Sequence, residues 1–592
     1  MREWLETDGL GGFAMGAADG IRARRYHAVL LAATKPPDAR MVLVADLEVF
    51  AETAEGRFSL SSHRYRGGVV YPDGATRIAS FRHEPWPRWE YALPGGVRIA
   101  CELAMTPGAP CTHVRWTQLA GPPARLWVRP LLAGRDYHAT HHENGGFRFD
   151  AETRDDVVTW RPYGGVPAIA CRHPGRYEHA PEWYRAFDLE IEAMRGLDHE
   201  EDLASPGIFT FDLPGTLVFA MDRVDDHASP FGARASGLER AADAYLVRRG
   251  TGTTIIAGYP WFADWGRDTF ISLRGLCLAR GKRDQAAAIL REWARVIDGG
   301  MLPNRFGEHD AAPEYNSVDA ALWFVVAAHD AALAQELAAP IAAIVDGYAR
   351  GTRHGIRQDR DGLLACGVPG LQLTWMDAKI GDQVITPRIG KPVEIQALWI
   401  NALAIAGRDI TQAQRAFEQR FWNGGALHDV VDVDHVAGTA DPTIRPNQIF
   451  AVGGLPHAVL TGERAREVVE RCFADLWTPA GPRSLSPADS RYRGRYLGGP
   501  LERDRSYHNG PIWPWLAGAF IEAWVRVHRD AAEARRRFFA PLLDRLEIAG
   551  LGHLSEIADG DPPHTPCGCP FQAWSVAELV RLDRVVLRHT GA

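Results

Sequence analysis

Carboxylate side chains in aromatic-rich loops are the residues of this sequence that are best suited to chemistry. Four segments rich in Gly, Pro and Trp combine carboxylates or a cation with aromatic rings: 259–268, 373–377, 506–515, and 552–556 together with 559–564. A Trp in a loop exposes apolar area unless something packs on it, and flat aromatic faces stack well on the C–H faces of sugars. The four segments therefore predict a sugar-binding cleft.

Such a cleft could hydrolyse an acetal if two carboxyl groups from different loops face each other. One carboxylic acid protonates the leaving oxygen, while one carboxylate activates water or attacks directly. On residue type alone the candidates are Asp264, Asp268, Asp377, Asp382, Glu394, Asp504, Glu556, Asp559 and Asp561. Their spacing does not choose among them.

The elements that must position these loops differ between the two halves of the chain. From Val97 to Met105, apolar residues alternate with polar or small ones, which predicts a strand with one buried face. Similar runs occur at 41–50, 112–119, 125–132 and 215–221, with Gly and Pro turns between runs. Many short strands of this kind predict an antiparallel β-sandwich, of the supersandwich type, over residues 1–230.

The period changes to that of a helix after residue 230. Apolar residues of 283–298 and of 512–527 fall on single helical stripes. Roughly a dozen helical segments follow Ala233, and twelve helices in antiparallel pairs would close an (α/α)6 barrel. We expect a linker helix at 231–253 and a catalytic barrel at 254–592, whose loops at one end make a deep pit.

The amino-acid composition limits the classes of molecule that this protein could bind. The formal charge of −8, from 66 basic and 74 acidic residues, provides no basic surface for nucleic acid or anionic lipid. No secretory leader or membrane-spanning stretch is visible, so we expect a cytoplasmic protein. The eight cysteines are scattered, which predicts reduced thiols and no structural metal. Acetal hydrolysis by carboxyl groups also requires no cofactor.

Several motifs, in order and over nearly the whole chain, resemble the glycogen debranching enzyme family. The resemblance is to the amylo-α-1,6-glucosidase module of bacterial and archaeal members, glycoside hydrolase family 133. The matching runs are 257–272, Thr374-Trp-Met-Asp-Ala378 with 390–395, Ser506-Tyr-His-Asn-Gly510 and 572–578. Residues 3–13 and 24–27 resemble the β-domain that precedes this module. The long transferase domain of eukaryotic debranching enzymes has no counterpart in this sequence, so transferase activity is not implied.

The resemblance implies a six-hairpin glycosidase fold, an inverting mechanism and specific roles. Asp377 would be the general acid and Glu556 the general base, with Asp559 and Asp561 as alternative bases. The segment 265–268 also resembles a glucoamylase motif, in which Arg267 and Asp268 would bind hydroxyls of the terminal glucose. The full predicted substrate-binding set is Trp261, Asp264, Trp265, Arg267, Asp268, Trp375, Lys391, Glu394, Tyr507, His508 and Trp513.

Other interpretations of these residues remain open from the sequence. Asp268 could cap a helix, since it precedes an apolar helical run. The tryptophans could be core residues and His508 a structural histidine, because the carboxyl pair already covers both proton transfers. If Asp377 is the acid, its aromatic surroundings should raise its pKa.

The sequence thus predicts an exo-acting amylo-α-1,6-glucosidase that removes glucose stubs from glycogen, limit dextrin or malto-oligosaccharides. One alternative is a glucoamylase-like hydrolase of other α-glucosides, because loop residues and not the fold set the linkage. A second is an inverting disaccharide phosphorylase, and a third is a polysaccharide-binding protein without activity. The sequence predicts no oligomeric state.

Overall fold

The computed structural model describes residues 1–306 and 312–588, which form two compact units. The first unit comprises Met1–Gly250 and Glu547–Gly552, and the second comprises Thr251–Leu546 and His553–Ala592. The division therefore follows Gly250, within the segment 231–253 that we expected to be a linker. None of the described helices is long and apolar enough to cross a membrane.

The first unit is built from antiparallel strands. They are β1 (Glu3–Thr7), β2 (Phe13–Ala17), β3 (Ala28–Lys35), β4 (Asp38–Thr53), β5 (Gly56–Ser59), β6 (His63–Tyr65), β7 (Val69–Tyr71), β8 (Ile78–Arg82), β9 (Arg88–Ala92), β10 (Arg98–Met105), β11 (Cys111–Ala120), β12 (Arg125–Asp136), β13 (Ala151–Arg154), β14 (Val157–Trp160), β15 (Ile169–Arg172), β16 (Arg176–Asp188), β17 (Glu200–Asp212) and β18 (Gly215–Met221). Two short helices accompany them, α1 (Glu190–Met194) and α2 (Gly237–Asp243).

These strands form two sheets that share one apolar core. The ten-stranded sheet has the order β1-β2-β3-β4-β12-β17-β16-β6-β7, with β5 paired to β4, and the eight-stranded sheet has the order β13-β14-β15-β18-β11-β10-β9-β8. Residues of both sheets, such as Leu126 of β12 and Trp116 of β11, pack in a single buried cluster. The predicted antiparallel β domain is confirmed, and it is a sandwich.

The expectation of one buried face on β10 was wrong. Glu102, on the face predicted to be polar and open, is only 4% exposed. Its carboxylate accepts hydrogen bonds from the indole of Trp86 (2.9 Å) and from Arg115 (2.8 Å). A buried charge is tolerated when its hydrogen bonds are satisfied, and alternation of residue types does not reveal such partners.

Buried ion pairs hold the motif near the N-terminus in place. Arg24 and His27 both contact Oε1 of Glu3, at 2.7 and 2.8 Å. Glu201 accepts from Arg22 (2.6 Å) and Arg135 (2.5 Å). Burial alone would raise the pKa of Glu201, but the two guanidinium groups outweigh it and lower the pKa to about 2.

The second unit is helical. Its helices are α3 (Gly266–Leu276), α4 (Arg283–Ala294), α5 (Asp319–Asp330), α6 (Ala338–Arg350), α7 (Val393–Ile405), α8 (Thr411–Arg420), α9 (Gly462–Leu476), α10 (Pro500–Tyr507), α11 (Leu516–His528), α12 (Ala531–Ala534), α13 (Ala540–Leu543) and α14 (Ala573–Arg581). A 3₁₀ segment, Pro446–Ala451, is also fully buried.

Within the described residues, six of these elements form a closed inner ring. Around the ring, α3 packs on α5, α5 on α7, α7 on the 3₁₀ segment, that segment on α11, α11 on α14, and α14 on α3. Every residue of α3 and of α14 is buried, as expected of helices that are covered on all sides. Helices α4, α6, α8 and α9 alternate with the inner elements and bury one stripe each. This is the predicted (α/α)6 arrangement.

The connections of this ring differ greatly in length. Those that leave an inner element are short, at 276–283, 330–338, 405–411 and 528–531. Those that enter an inner element are long, at 294–319, 350–393, 420–446 and 476–516. The candidate site residues lie in the long connections or in the first turns of the inner elements that follow, so they gather at one end of the ring.

Candidate active site

Arg267 connects two carboxylates at this end of the ring. It lies in the first turn of α3 and is 2% exposed. Its Nε donates to Oδ2 of Asp319 at 2.8 Å, and its Nη1 donates to Oδ2 of Asp377 at 3.1 Å. Its Nη2 is buried and has no hydrogen-bond partner among the described residues. A buried donor without a partner is costly, so this nitrogen is suited to a substrate hydroxyl.

Asp377 has the properties of a proton donor. The side chain retains 27% of its accessible surface, although its backbone is held in the connection before α7. Burial raises the pKa of Asp377, the Arg267 guanidinium opposes this, and the charge of Asp319 raises it further. The direction is the one expected from the sequence, but the cause includes Asp319, which sequence reasoning missed because it lies in none of the four aromatic segments.

Glu556 has the properties of a base. The hydroxyl of Tyr507 donates to its Oε1 at 2.5 Å, and the backbone N–H of Cys569 donates to its Oε2 at 3.0 Å. Both hydrogen bonds stabilise the ionised carboxylate. The pKa of Tyr507 is raised well above its usual value by burial and by the Glu556 charge, so the phenol remains a donor.

Asp268 interacts electrostatically with both Asp377 and Glu556. Burial raises its pKa to about 8, and the charges of Asp377 and Glu556 contribute against the opposing effect of Arg267. The three carboxyl groups are therefore close enough to interact, and we call them the carboxyl pocket; the raised pKa favours the protonated form of Asp268. The N-cap position of α3 is Trp265, which argues against Asp268 as the cap.

Gln572 is a further residue of this pocket that was not among the predicted site residues. Its Nε2 donates to Oδ1 of Asp268 at 3.5 Å, and its Oε1 is buried without a hydrogen-bond partner among the described residues. The residue lies in the motif 572–578 that carries the family resemblance, so the signal was present in the sequence.

Trp375, His508 and Trp513 form a buried cluster behind the carboxyl pair. Trp375 is 3% and Trp513 2% exposed. The rings of His508 and Trp513 stack at 5.0 Å, and burial lowers the pKa of His508 well below its usual value. Trp513 Nε1 donates to the carbonyl of Tyr507 at 3.0 Å. This burial favours a positioning role over direct sugar stacking.

Glu394, which we expected to bind substrate, belongs to a network beneath this cluster. It pairs with both Nη atoms of Arg388, whose Nε donates to Asp429 at 2.8 Å. Asp429 also accepts from Asn447 at 2.8 Å, and Asn447 accepts from Trp375 Nε1 at 2.8 Å. The network thus links Glu394 to the wall that carries Asp377, and Glu394 supports the site from behind.

Lys391 is not brought into the carboxyl pocket either. Its ammonium lies 2.8 to 3.0 Å from carboxylate oxygens of Asp359, Asp361 and Asp432. A buried amine needs charged partners, and here three acids on neighbouring loops supply them. The expectation that Lys391 binds sugar therefore finds no support in its position, because closeness to a motif in sequence does not reveal ion partners.

The remaining predicted residues divide into two groups. Asp264 is 1% exposed and accepts from the hydroxyl of Thr254 at 3.0 Å, so its visible role is to hold the loop. Trp261 and Trp265 are half-buried, and the Arg305 guanidinium lies 5.6 Å from the Trp265 ring. These two rings retain surface on which a sugar could stack.

Asp559 and Asp561 form hydrogen bonds with a neighbouring loop. Asp559 accepts from the backbone N–H of Tyr496 at 2.8 Å, and Asp561 accepts from the hydroxyl of Tyr492 at 2.9 Å. Glu556, in contrast, contributes to the electrostatics of Asp268. The geometry favours Glu556 over these two alternatives as the base.

Comparisons with known proteins agree with this geometry. Residues 240–581 match the family described as amylo-alpha-1,6-glucosidase, and residues 2–218 match the N-terminal domain of glycogen debranching enzymes. The glycogen debranching enzyme of Saccharomyces cerevisiae is 26% identical over 460 residues, covering 56% of this chain and 30% of the yeast protein. The chain therefore spans less than a third of that relative.

A solved structure supports the fold. A bacterial glucoamylase complexed with acarbose superposes with a TM-score of 0.57 at 13% identity, covering 98% of this chain and 92% of the glucoamylase. At this identity the likeness concerns the fold alone, a β domain followed by a helical barrel. Because the family match covers more than half of the sequence, the chain belongs to the amylo-alpha-1,6-glucosidase family.

Proposed function

We propose that this protein is an exo-acting, inverting amylo-α-1,6-glucosidase that removes single glucose stubs from glycogen or limit dextrin. The observation that carries the proposal is the carboxyl pocket, in which Asp377 has a raised pKa and Glu556 accepts two hydrogen bonds. Family membership supports the substrate class. A stored cytoplasmic polymer as substrate agrees with the location predicted from the sequence.

In the proposed reaction Asp377 gives its proton to the glycosidic oxygen as the bond to the anomeric carbon breaks. Glu556 takes a proton from a water molecule, and the water oxygen attacks that carbon from the opposite face. Room for this water requires a carboxyl separation of about 6.5–9.5 Å. The released sugar is β-glucose, because the attack inverts the α configuration.

Arg267 and Asp268 would determine that only chain ends are cleaved. The Nη2 of Arg267, which has no hydrogen-bond partner among the described residues, and the carboxyl of Asp268, whose raised pKa favours its protonated form, are buried hydrogen-bonding groups beside the acid. Their partners in the complex would be hydroxyls of the terminal glucose, which leaves no space for a further sugar. Binding energy from this subsite would orient the glycosidic oxygen toward Asp377.

The experiment compares α-1,6-linked and α-1,4-linked ends. Purified protein is incubated with phosphorylase limit dextrin, an isomaltose-type end and a maltose-type end, and the anomer of released glucose is followed by NMR. We expect β-glucose, released fastest from limit dextrin, with an Asp377→Asn/Glu556→Gln double variant as the blank. Faster cleavage of maltose-type ends would indicate a glucoamylase-like hydrolase. Strict dependence on phosphate with release of a sugar phosphate would indicate a phosphorylase.

A further inference from the structure

A second, basic cavity lies in the helical unit and is separate in its lining from the carboxyl pocket. Its volume is about 410 Å³, within the size range of small-molecule sites. Five arginines line it: Arg388, Arg445, Arg491, Arg493 and Arg505. Two acids, Asp429 and Asp441, line it with them, and two further acids outside the lining, Glu394 and Asp489, pair with Arg388 and Arg491.

One lining residue, Arg445, is a buried guanidinium whose ion pair with a carboxylate is long. Arg445 is 3% exposed and donates to the carbonyl of His508 (2.6 Å) and to Oδ1 of Asn509 (3.0 Å). Its nearest carboxylate, Asp429, is 3.8 Å away and is already bound by Arg388. Burial lowers the pKa of Arg445 to about 10; the Asp429 charge opposes this effect, and Arg388 and Arg491 add to it. The buried cations Arg388 and Arg445 are matched by two acids, Glu394 and Asp429.

The mouth of the cavity is also basic. Arg493 and Arg505 are exposed, and among the described residues neither guanidinium has a hydrogen bond or an ion pair. Arg491 is paired with Asp489 at 2.8 Å. Two exposed guanidinium groups, Arg493 and Arg505, are thus available to a ligand and carry the unpaired positive charge of this cavity.

We propose that this cavity binds a phosphomonoester dianion. Guanidinium groups match phosphate oxygens with paired, charge-assisted hydrogen bonds, and a doubly charged group would balance the two exposed guanidinium groups of Arg493 and Arg505. Thr386 and Ser490 also line the cavity and offer hydroxyls to the same oxygens. The dianion could belong to a free sugar phosphate or to a phosphorylated glucosyl unit of a glucan chain, and the second source rests on the proposed function.

Direct binding to the whole protein tests the proposal without using its activity. Calorimetric titrations use inorganic phosphate, glucose 6-phosphate and, as an uncharged reference, glucose. The test variant is Arg493→Gln/Arg505→Gln, because both side chains are exposed and lie outside the carboxyl pocket. The matched control is Arg415→Gln/Arg466→Gln, which removes the same charge from exposed positions on α8 and α9.

We expect the wild-type protein and the control to bind both phosphates, and the test variant to bind them at least about tenfold more weakly. Absence of phosphate binding in the wild-type protein, or equal weakening in both variants, would overturn the proposal. A phosphorylated malto-oligosaccharide that binds more tightly than its dephosphorylated form identifies the chain as the source. Equal binding of the two oligosaccharides, with glucose 6-phosphate bound, identifies the free sugar phosphate.

Discussion

Asp377 and Glu556 differ in the groups that surround them, and the roles of acid and base that we propose rest on this difference. Asp377 is half-buried and is affected by the charge of a second acid, Asp319, while Glu556 accepts two hydrogen bonds. A substrate whose leaving group needs no proton separates the two roles. We expect Asp377→Asn to hydrolyse glucosyl fluoride at a rate near that of the wild-type protein while losing activity on limit dextrin.

Glu556→Gln provides the matched comparison, since it makes the same chemical change at the other carboxyl. It should be inactive on both substrates, because water is then not activated in either case. Initial rates of fluoride release and of glucose release make the measurement. The reverse pattern would exchange the acid and the base while leaving the pair itself intact.

The buried carboxyl of Asp268 destabilises the folded state by an amount that depends on pH. Its folded pKa of about 8 lies above its usual value of 3.8, so the unfolded chain loses this proton first as pH rises. The folded state is therefore increasingly disfavoured between pH 3.8 and about pH 8, and no further change comes from this group above that.

Replacement of Asp268 with Asn removes this titration. We expect the melting temperature of Asp268→Asn, relative to the wild-type protein, to increase across that pH window and then to level off. Thermal unfolding of both proteins at several pH values measures the difference. A difference that does not change with pH would mean that Asp268 is ionised in the folded protein.

At the scale of elements, the inner helices pack too closely for an added methyl group at one point. A Cβ on Gly275 of α3 would lie 1.9 Å from the backbone oxygen of Ala577 of α14. Because a backbone carbonyl cannot rotate away, α3 would have to shift, and α3 carries Arg267 and Asp268. We expect Gly275→Ala to lower the free energy of unfolding by about 1–3 kcal/mol and to reduce kcat.

Gly145→Ala is the control, because no atom lies within 4 Å of its added Cβ. Urea unfolding and steady-state rates on limit dextrin compare the two variants. Equal stability of both would contradict the packing that the structure shows at this contact.

The elements also show where sequence patterns stop being informative. The outer helices have a 3.6-residue period, and the segment 283–298 was predicted from it, with α4 ending at Ala294. In α7 every residue from Val393 to Leu403 is buried. Because no face of this helix is exposed, apolar residues are not confined to one stripe, and the sequence shows no helical period. Periodicity predicted individual helices, including the inner α11 from the run 512–527, whereas the closed barrel was predicted from a rough count of helical segments and was also implied by the family resemblance.

The same limit applies to the site. Sequence motifs identified Arg267 and Asp377, because each lies in an aromatic segment with a known relative. They did not identify Asp319, which contacts Arg267 only after the ring closes. The motifs also led us to expect that Lys391 binds substrate. Its three acidic partners lie close to it in the fold but come from loops that are distant in the sequence. Contacts of this kind depend on tertiary structure, and one sequence carries no direct sign of them.

For the whole molecule, the β unit has a core of its own and a buried charge that stabilises it. Glu201 is held by Arg22 and Arg135, and its pKa of about 2 lies below its usual value of 4.5. Its contribution is fully present above pH 4.5 and is lost as pH falls toward 2. Glu201→Gln leaves two buried guanidinium groups without a charged partner, which costs about 3–5 kcal/mol.

Hydrogen exchange of peptides from β12 and β17 measures this loss within the β unit. We expect faster exchange in Glu201→Gln at neutral pH, and a smaller difference between variant and wild type near pH 3. Glu152→Gln is the control, since it removes the same charge from a side chain that is 61% exposed. Equal exchange in the two variants would show that the buried pairs contribute nothing to stability.

The unequal connections of the helical ring bear on how such a protein can diversify. The turns opposite the site, such as 405–411 and 528–531, are so short that a change of length there would strain two packed helices. The long segments at the site, such as 350–393 and 476–516, can gain or lose residues without disturbing the ring. Changes of length that alter specificity are therefore expected in the long segments, while the packed helices beneath them tolerate fewer changes.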